Sequence, residues 1–377
     1  MNLVKSLEPA VDPNNRITFL LDWELTMKCN LDCGYCPSDL YGGHDNTTRH
    51  PPLADCLKTI DFMFEYADIH MRTKPQGIRY VILNVYGGEA LHHPNIVEIL
   101  SVLRERYQPY QDRWHLTITT TTNAIIAPHR LDRIIPFIDE FTVSYHSENT
   151  PQQKQQFRNN LEKIKSAGVR QKCIVMMHSE PDRFEDSQTM ITWLNENNIK
   201  YLPKQIDHAL DKDFNYNQQQ VTWFEGLYKK SLDHAVVRDQ KRDLADTGRT
   251  CCGGRSLCAD QNYRNPQKFV ANKFPGWYCS VNHFFLYVKQ VNGEVYVNKD
   301  CKMNYDGTVG PIGNLNDIEP ILSKARDPDK PVIRCAKERC FCGVCAPKAE
   351  NLNTYQTIMR KYEIPNSNLL HQTQRAN

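Results

Sequence analysis

The 377-residue chain carries 46 basic and 44 acidic side chains, so its net charge is only about +2. That balance excludes a global field for nucleic acid or anionic lipid. No apolar run approaches the ~20 residues that span a bilayer, and the opening MNLVKSLEPAVDPNN lacks the apolar stretch of a secretory signal. A cytoplasmic protein is expected, with no membrane and no specific nucleic-acid partner, built from two or three modules at roughly 150 residues each.

From Ile17 to Met27 the odd positions are Ile17, Phe19, Leu21, Trp23, Leu25 and Met27, while the even ones include Thr18, Asp22, Glu24 and Thr26. This period of two predicts a strand with one apolar and one mostly polar face. ADCLKTIDFMFEYA follows with Cys56, Ile60, Met63 and Ala67 at helical spacing. YVILNVY is a second strand and PNIVEILSVLRERY a helix, with Pro94 suited to its first turn. HLTITTTTN, FTVSYH, KCIVMMH and IKYLPKQ supply strands three to six. Between them lie the helical segments PHRLDRIIPFID, the stretch opened by Thr150 and Pro151 and stopped at Gly168, and EDSQTMITWLNENN.

Strands alternating with helices predict an α/β chain with a parallel sheet and right-handed crossovers. An open sheet covered on both faces needs nearly all-apolar strands. Here the strands repeat a polar face instead: Asp22, Glu24 and Thr26; Thr117, Thr119 and Thr121; Thr142, Ser144 and His146. A curved sheet around a polar lumen fits, a partial (β/α)6 TIM-like barrel with its chemistry at the C-terminal strand ends. Beyond residue 206 the pattern changes. Residues 207–250 read as a helical linker with Trp223, Leu227 and Leu232 available for docking. Residues 251–348 are a small irregular α+β cysteine-rich domain containing a hairpin that turns at Asn292-Gly293. Residues 351–363 are a final helix, followed by a tail with little to anchor it.

Fourteen cysteines are many for a reducing compartment, and their positions matter more than their number. Three lie at 29–36, nine lie between 251 and 345, and only Cys56 and Cys173 stand alone, as packing residues. Such clusters read as metal sites rather than a disulfide framework. Cys29, Cys33 and Cys36 put three soft ligands on one loop after the first strand. Zinc closed by His44 or another residue is one reading. A four-iron cluster with one iron left open to a small molecule is the other, since ferredoxin-type clusters take four cysteines.

The loop Cys29–Cys33–Cys36, with gaps of three and two residues after a first strand, resembles the signature of the radical S-adenosylmethionine (SAM) enzymes. The resemblance covers roughly residues 17–206 and implies the same six-stranded partial barrel. It implies that Cys29, Cys33 and Cys36 hold a SAM-binding 4Fe-4S cluster and that Tyr35 lies near the adenine. Gly87, Gly88 and Glu89 of YGGEA match the motif that binds the SAM amino group; taken alone, YGGEA is an ordinary strand-end turn. TTTNA resembles a Thr-Asn-Gly strand ending, with Asn123 as a candidate contact and Ala124 where glycine usually stands. Ser144 and His146 occupy the position of the ribose contact, or else fill the lumen. The tandem His92-His93 reads as a solvated loop, with metal binding as the alternative.

Farther on, Cys279, a hairpin, Cys301 and the group Cys335, Cys340, Cys342 and Cys345 resemble the auxiliary-cluster domains named SPASM and Twitch. Seven residues separate Gly293 from Cys301 where four are usual, and the last group is tighter than the standard pattern. One or two auxiliary iron–sulfur clusters are implied, with Cys258 as a candidate ligand and Cys251 and Cys252 unassigned; a zinc ribbon is the alternative. The resemblance implies reductive SAM cleavage to a 5′-deoxyadenosyl radical, hydrogen abstraction from a substrate, and a reducing partner such as a flavodoxin or ferredoxin. The substrate is a peptide or protein side chain, or a small-molecule metabolite. A peptide would need separate recognition or direct docking, since only sixteen residues precede the first strand. A non-catalytic metal-stabilised binding module or electron carrier is the rival class.

Overall fold

A computed structural model describes residues 6–7, 17–36, 49–72, 79–206, 215–227, 274–299, 301–305, 307–327, 332–336 and 348–361. Six parallel strands pair in chain order: β1 (Ile17–Thr26), β2 (Arg79–Gly87), β3 (His115–Thr122), β4 (Glu140–His146), β5 (Arg170–Met177) and β6 (Tyr201–Gln205). Helices α1 (Leu53–Arg72), α2 (Ile96–Tyr107), α3 (Pro128–Ile134), α4 (Pro151–Ser166) and α5 (Pro181–Glu196) lie in the successive connections. Among the described residues the sheet does not close on itself, so the predicted α/β partial barrel is the architecture that forms.

The period-two pattern explains the layering. Phe19, Leu21, Trp23 and Leu25 are fully buried in the main core, where the Phe19 ring meets Tyr66 of α1 at 6.0 Å. The opposite face carries polar groups that satisfy one another: Asn84 donates to Asp22 at 3.0 Å, and Thr119 donates to Asn84 at 3.3 Å. A chain of hydrogen bonds across β1, β2 and β3 thus makes a buried polar face affordable. The Thr150 start of α4 is a capping box with Gln153, and the chain leaves the helix through Gly168 at φ +73°.

The C-terminal region contributes β7 (Tyr278–Cys279), β8 (Phe285–Lys289), β9 (Glu294–Tyr296), β10 (Gly313–Asn314), α6 (Glu319–Arg326), β11 (Ile333–Arg334), β12 (Lys348–Ala349) and α7 (Leu352–Lys361). β8 and β9 form the expected hairpin, with Gly293 at φ +71° in its turn. β8 also lies parallel to β1, from Leu20 opposite Phe285 to Glu24 opposite Lys289. One sheet of nine strands therefore runs β10-β9-β8-β1-β2-β3-β4-β5-β6. A second sheet orders Ser6–Leu7, β12, β7 and β11. In the linker, Trp223 and the buried Phe224 pack on Phe184 of α5 at 5.3 and 5.7 Å; Leu227 is half-buried, and Leu232 lies outside the described residues.

Candidate active site

The cysteine loop leaves the C-terminal end of β1 and is seated on the residues that end β2. Gly88 N–H donates to Thr26 O at 2.8 Å, and Glu89 N–H donates to Lys28 O at 2.9 Å. Both glycines are dictated by this seat. A Cβ on Gly87, at φ +150°, would lie 2.0 Å from Thr26 O, and one on Gly88 would lie 2.4 Å from Met27 O. No side chain fits there. The glycine pair therefore fixes where Cys29 starts.

Glu89 is 1% exposed and ties the ends of β2 and β3 together. Its Oε1 accepts from Thr122 Oγ1 at 2.9 Å and Leu91 N–H at 3.1 Å, and its Oε2 accepts from Asn123 N–H at 2.7 Å. Burial raises its pKa, against the opposing pull of these donors. Asn123 in turn reaches the cysteine loop, donating to Asn30 Oδ1 at 2.8 Å with Cys29 Sγ 3.9 Å away. Ala124 adopts φ +55°, so the left-handed turn survives where glycine was expected. Asn160 holds it by donating to Ala124 O at 2.8 Å.

The far side of the loop meets β4. Tyr35, 6% exposed, shares a hydrogen bond with His146 Nδ1, and the rings stack at 5.9 Å. Cys33 Sγ lies 3.6 Å from the same nitrogen. Burial lowers the His146 pKa to about 4, which keeps the imidazole neutral. Ser144 sits half-buried one position back on that face. Glu148 was not foreseen: its Oε2 accepts from Gly34 N–H at 2.8 Å, and its Oε1 is bound by Arg183. Its only sequence signal is its place two residues past His146, at a strand end. Asn30, at the centre of the loop's contacts, gave no signal beyond lying between two candidates.

Burial pushes all three thiols up, Cys33 to about 12 and Cys36 to about 11; for Cys33 the nearby Glu148 and the other two cysteines add to the effect. Thiols so placed stay protonated unless a cationic centre binds them, which would deprotonate them outright. Among the described residues, no three metal-ligating side chains are gathered closely enough to hold a single ion. A four-iron cluster takes one cysteine on each iron, so three cysteines on one loop could ligate three of its irons.

On the same face as Asp22, Glu24 is 3% exposed; its Oε2 accepts from Tyr287 OH at 2.8 Å, while its Oε1 has no hydrogen-bond partner among the described residues. Tyr86, Tyr287 and Tyr296 form a separate buried cluster around it, with Tyr287 and Tyr296 stacked at 5.6 Å. Elsewhere, Cys279, Cys301 and Cys335 are 5%, 6% and 8% exposed and line one cavity. Cys251, Cys252, Cys258, Cys340, Cys342 and Cys345 lie outside the described residues, as does His44. Cys56 and Cys173 are fully buried in the core, as expected of packing residues. His92 and His93 correct the expectation of a solvated loop. His93 is fully buried with Nε2 2.9 Å from Pro51 O, and His92 Nε2 lies 2.9 Å from Ile125 O. Both rings serve backbone carbonyls, a need that local sequence does not reveal.

The chain shares its fold with an anaerobic sulfatase-maturating enzyme, anSMEcpe, a radical SAM enzyme. Histidine-tagged anSMEcpe with bound AdoMet superposes with a TM-score of 0.51 at 12% identity, covering 95% of this chain and 96% of that one. Native anSMEcpe with bound AdoMet and the Kp18Cys peptide gives 0.50 at 12% identity, covering 96% and 99%. The shared feature is the fold. No family model matches the chain, and no curated protein matches it in sequence. Among the described residues, no helix is long and apolar enough to cross a membrane.

Proposed function

We propose that the chain is a radical SAM enzyme of the oxidoreductase or maturase type, acting on a peptide or protein side chain. The observation that carries this reading is the seating of the three-cysteine loop on Gly87, Gly88 and Glu89, with Asn123 on one flank and His146 on the other. Cys29, Cys33 and Cys36 would hold a 4Fe-4S cluster that supplies electrons for reductive cleavage of SAM. Tyr35, Gly87, Gly88, Glu89, Asn123, Ser144 and His146 surround the place where SAM would bind. The peptide preference is supported by the anSMEcpe complex, whose bound molecules are AdoMet and a peptide.

Cys279, Cys301 and Cys335, with Cys258, Cys340, Cys342 and Cys345 as further candidates, would hold one or two auxiliary iron–sulfur clusters of SPASM or Twitch type. Cytoplasmic location and a flavodoxin or ferredoxin as electron donor complete the reading. Anaerobic reconstitution followed by SAM and dithionite tests it. Formation of 5′-deoxyadenosine, with about eight or more irons per chain, is expected. A protein that binds iron yet never cleaves SAM would be an electron carrier or binding module instead.

A further inference from the structure

The chain as a whole is close to neutral, yet positive groups gather beside the cysteine loop. Asn30 of that loop donates to Ile125 O at 3.0 Å, and His92 Nε2 lies 2.9 Å from the same oxygen. The segment after Ile125 leads into α3, whose Arg130 donates to His93 O. Between α3 and the first turn of α2 lies a cavity of about 290 Å³, enough to admit side chains from a second surface. Its lining includes Asn95, Glu98, His129, Arg130 and Arg133. Asn95 stands at the N-terminus of α2 without a side-chain capping bond, so the positive end of that helix adds to the charge of the wall.

Arg130 and Arg133 share one face of α3, and arginine stays charged in proteins. Arg133 is close enough to repel the Arg130 guanidinium. The same field reaches the cysteine loop: burial and the neighbouring His93, Lys28, His92 and Arg130 lower the His50 pKa to about 4. Among the described residues, Lys28, Arg130 and Arg133 make no ion pair. Of the acids nearby, Asp132 is bound by Lys163 at 2.6 Å, which leaves Glu98 as the acid in the cavity wall. Like charges held together without counter-ions cost the free protein energy, and an approaching surface of negative charge would relieve that cost.

We propose that this basic surface, between the start of α2 and α3, is the docking site of a small acidic electron-transfer protein that reduces the centre on the cysteine loop. Position favours such a protein over a free anion. The loop and the surface share the Ile125 carbonyl as a common anchor, so a partner seated there lies beside the loop. The proposal rests on the radical SAM reading above and adds the place where the electron arrives.

The test titrates the full reconstituted chain with a flavodoxin and, separately, with a ferredoxin. It also compares 5′-deoxyadenosine formation driven by each donor with formation driven by dithionite. Arg133→Glu is expected to raise the dissociation constant about fivefold or more at low ionic strength. It should slow the donor-driven reaction while the dithionite-driven one keeps the parent's rate. Arg133→Lys should stay near the parent, and Glu98→Gln should bind more tightly. Added salt should shrink these differences, since exposed charges are screened. This pattern with either donor supports the proposal and tells the two donors apart. An unchanged dissociation constant in Arg133→Glu overturns it, as does a parent that binds neither protein. An equal fall with dithionite also overturns it, because Arg133 would then support the loop itself. A parent that shows the charge-dependent binding but forms no 5′-deoxyadenosine even with dithionite keeps the docking surface and removes the enzyme reading instead.

Discussion

Cys29, Cys33 and Cys36 sit among hydrogen-bonding groups, with Asn30, Asn123, Glu148 and His146 around them and Cys36 exposed. Cys279, Cys301 and Cys335 are all buried, behind walls that include Phe274, Trp277, Met303 and Ile333. The difference is one of access. Cys36 on the first loop is open to a second molecule, whereas the cavity lined by Cys279, Cys301 and Cys335 is walled mainly by apolar side chains among the described residues. Soft ligands recur in both places, so the ligand type alone does not decide what each region does; the surroundings do.

The most severe way to break that contrast is at the loop itself. Cys33→Ala is expected to reduce SAM cleavage to background while auxiliary iron stays bound, because the two sites share no residue. Wild-type 5′-deoxyadenosine output from that variant would move the reaction away from this loop. Gly88→Ala should come next in size. Its methyl would meet Met27 O and Lys28 O at 2.4 and 2.6 Å, backbone atoms that cannot step aside. A loss of about 2–3 kcal/mol in stability is expected, together with iron loss confined to the barrel site. A melting curve and iron content like those of the parent would show that the loop is not seated on Gly88.

The barrel was legible because its signals are local. Alternation over Phe19 to Leu25, the capping at Thr150 and the cysteine spacing each lie within a few residues of one another. What escaped the sequence joins distant positions. The placement of β8 beside β1, sealed by Trp23 donating to Gln290 Oε1 across 267 positions, leaves no trace in either segment's own pattern. Nor do the Glu148 contact with Gly34 or the burial of Lys348, because a surface lysine and a buried one look alike in a list of letters. Asn123 shows the reverse: its expected role was tied to a glycine that is absent, yet the backbone keeps the turn through Ala124.

Smaller effects sharpen the comparison within the polar site. Glu89→Ala is expected to weaken SAM binding by about 1.5 kcal/mol or more, since Thr122, Asn123 and Leu91 all lose their acceptor. Glu89→Gln separates charge from positioning. If titration calorimetry gives it the parent's affinity, the carboxylate only orders the loop. Glu24 tests the lumen. Burial raises its pKa above 4.5, outweighing the Tyr287 hydrogen bond and the nearby Lys289. Between the unfolded and the folded pKa, the folded state holds a proton that the unfolded chain has released. Its stabilising contribution is complete below about pH 4.5 and declines as pH rises through the folded value. Glu24→Gln should thus come closest to the parent at pH 4 and gain on it as the pH rises to 8. A pH-independent difference in denaturant midpoint would mean that Glu24 is not held in this environment.

The smallest expected effect lies at Ala124, where opposing contributions nearly cancel. A left-handed alanine costs about 1–2 kcal/mol, and Ala124→Gly would remove that strain. The same change frees the unfolded chain, at a cost of about 0.4–1 kcal/mol. It also deletes a methyl group that is 1% exposed, worth about 0.8 kcal/mol. The net change should fall within about 0.5 kcal/mol of zero, whereas the same substitution at a buried alanine of ordinary backbone costs about 1.5 kcal/mol. Chemical denaturation of Ala124→Gly reads this directly. A loss as large as the ordinary value would mean that the turn does not hold φ near +55°. Asn123 would then have no fixed route to Asn30 and Cys29, and the polar site would lose the feature that most distinguishes it from the walled cavity around Cys279.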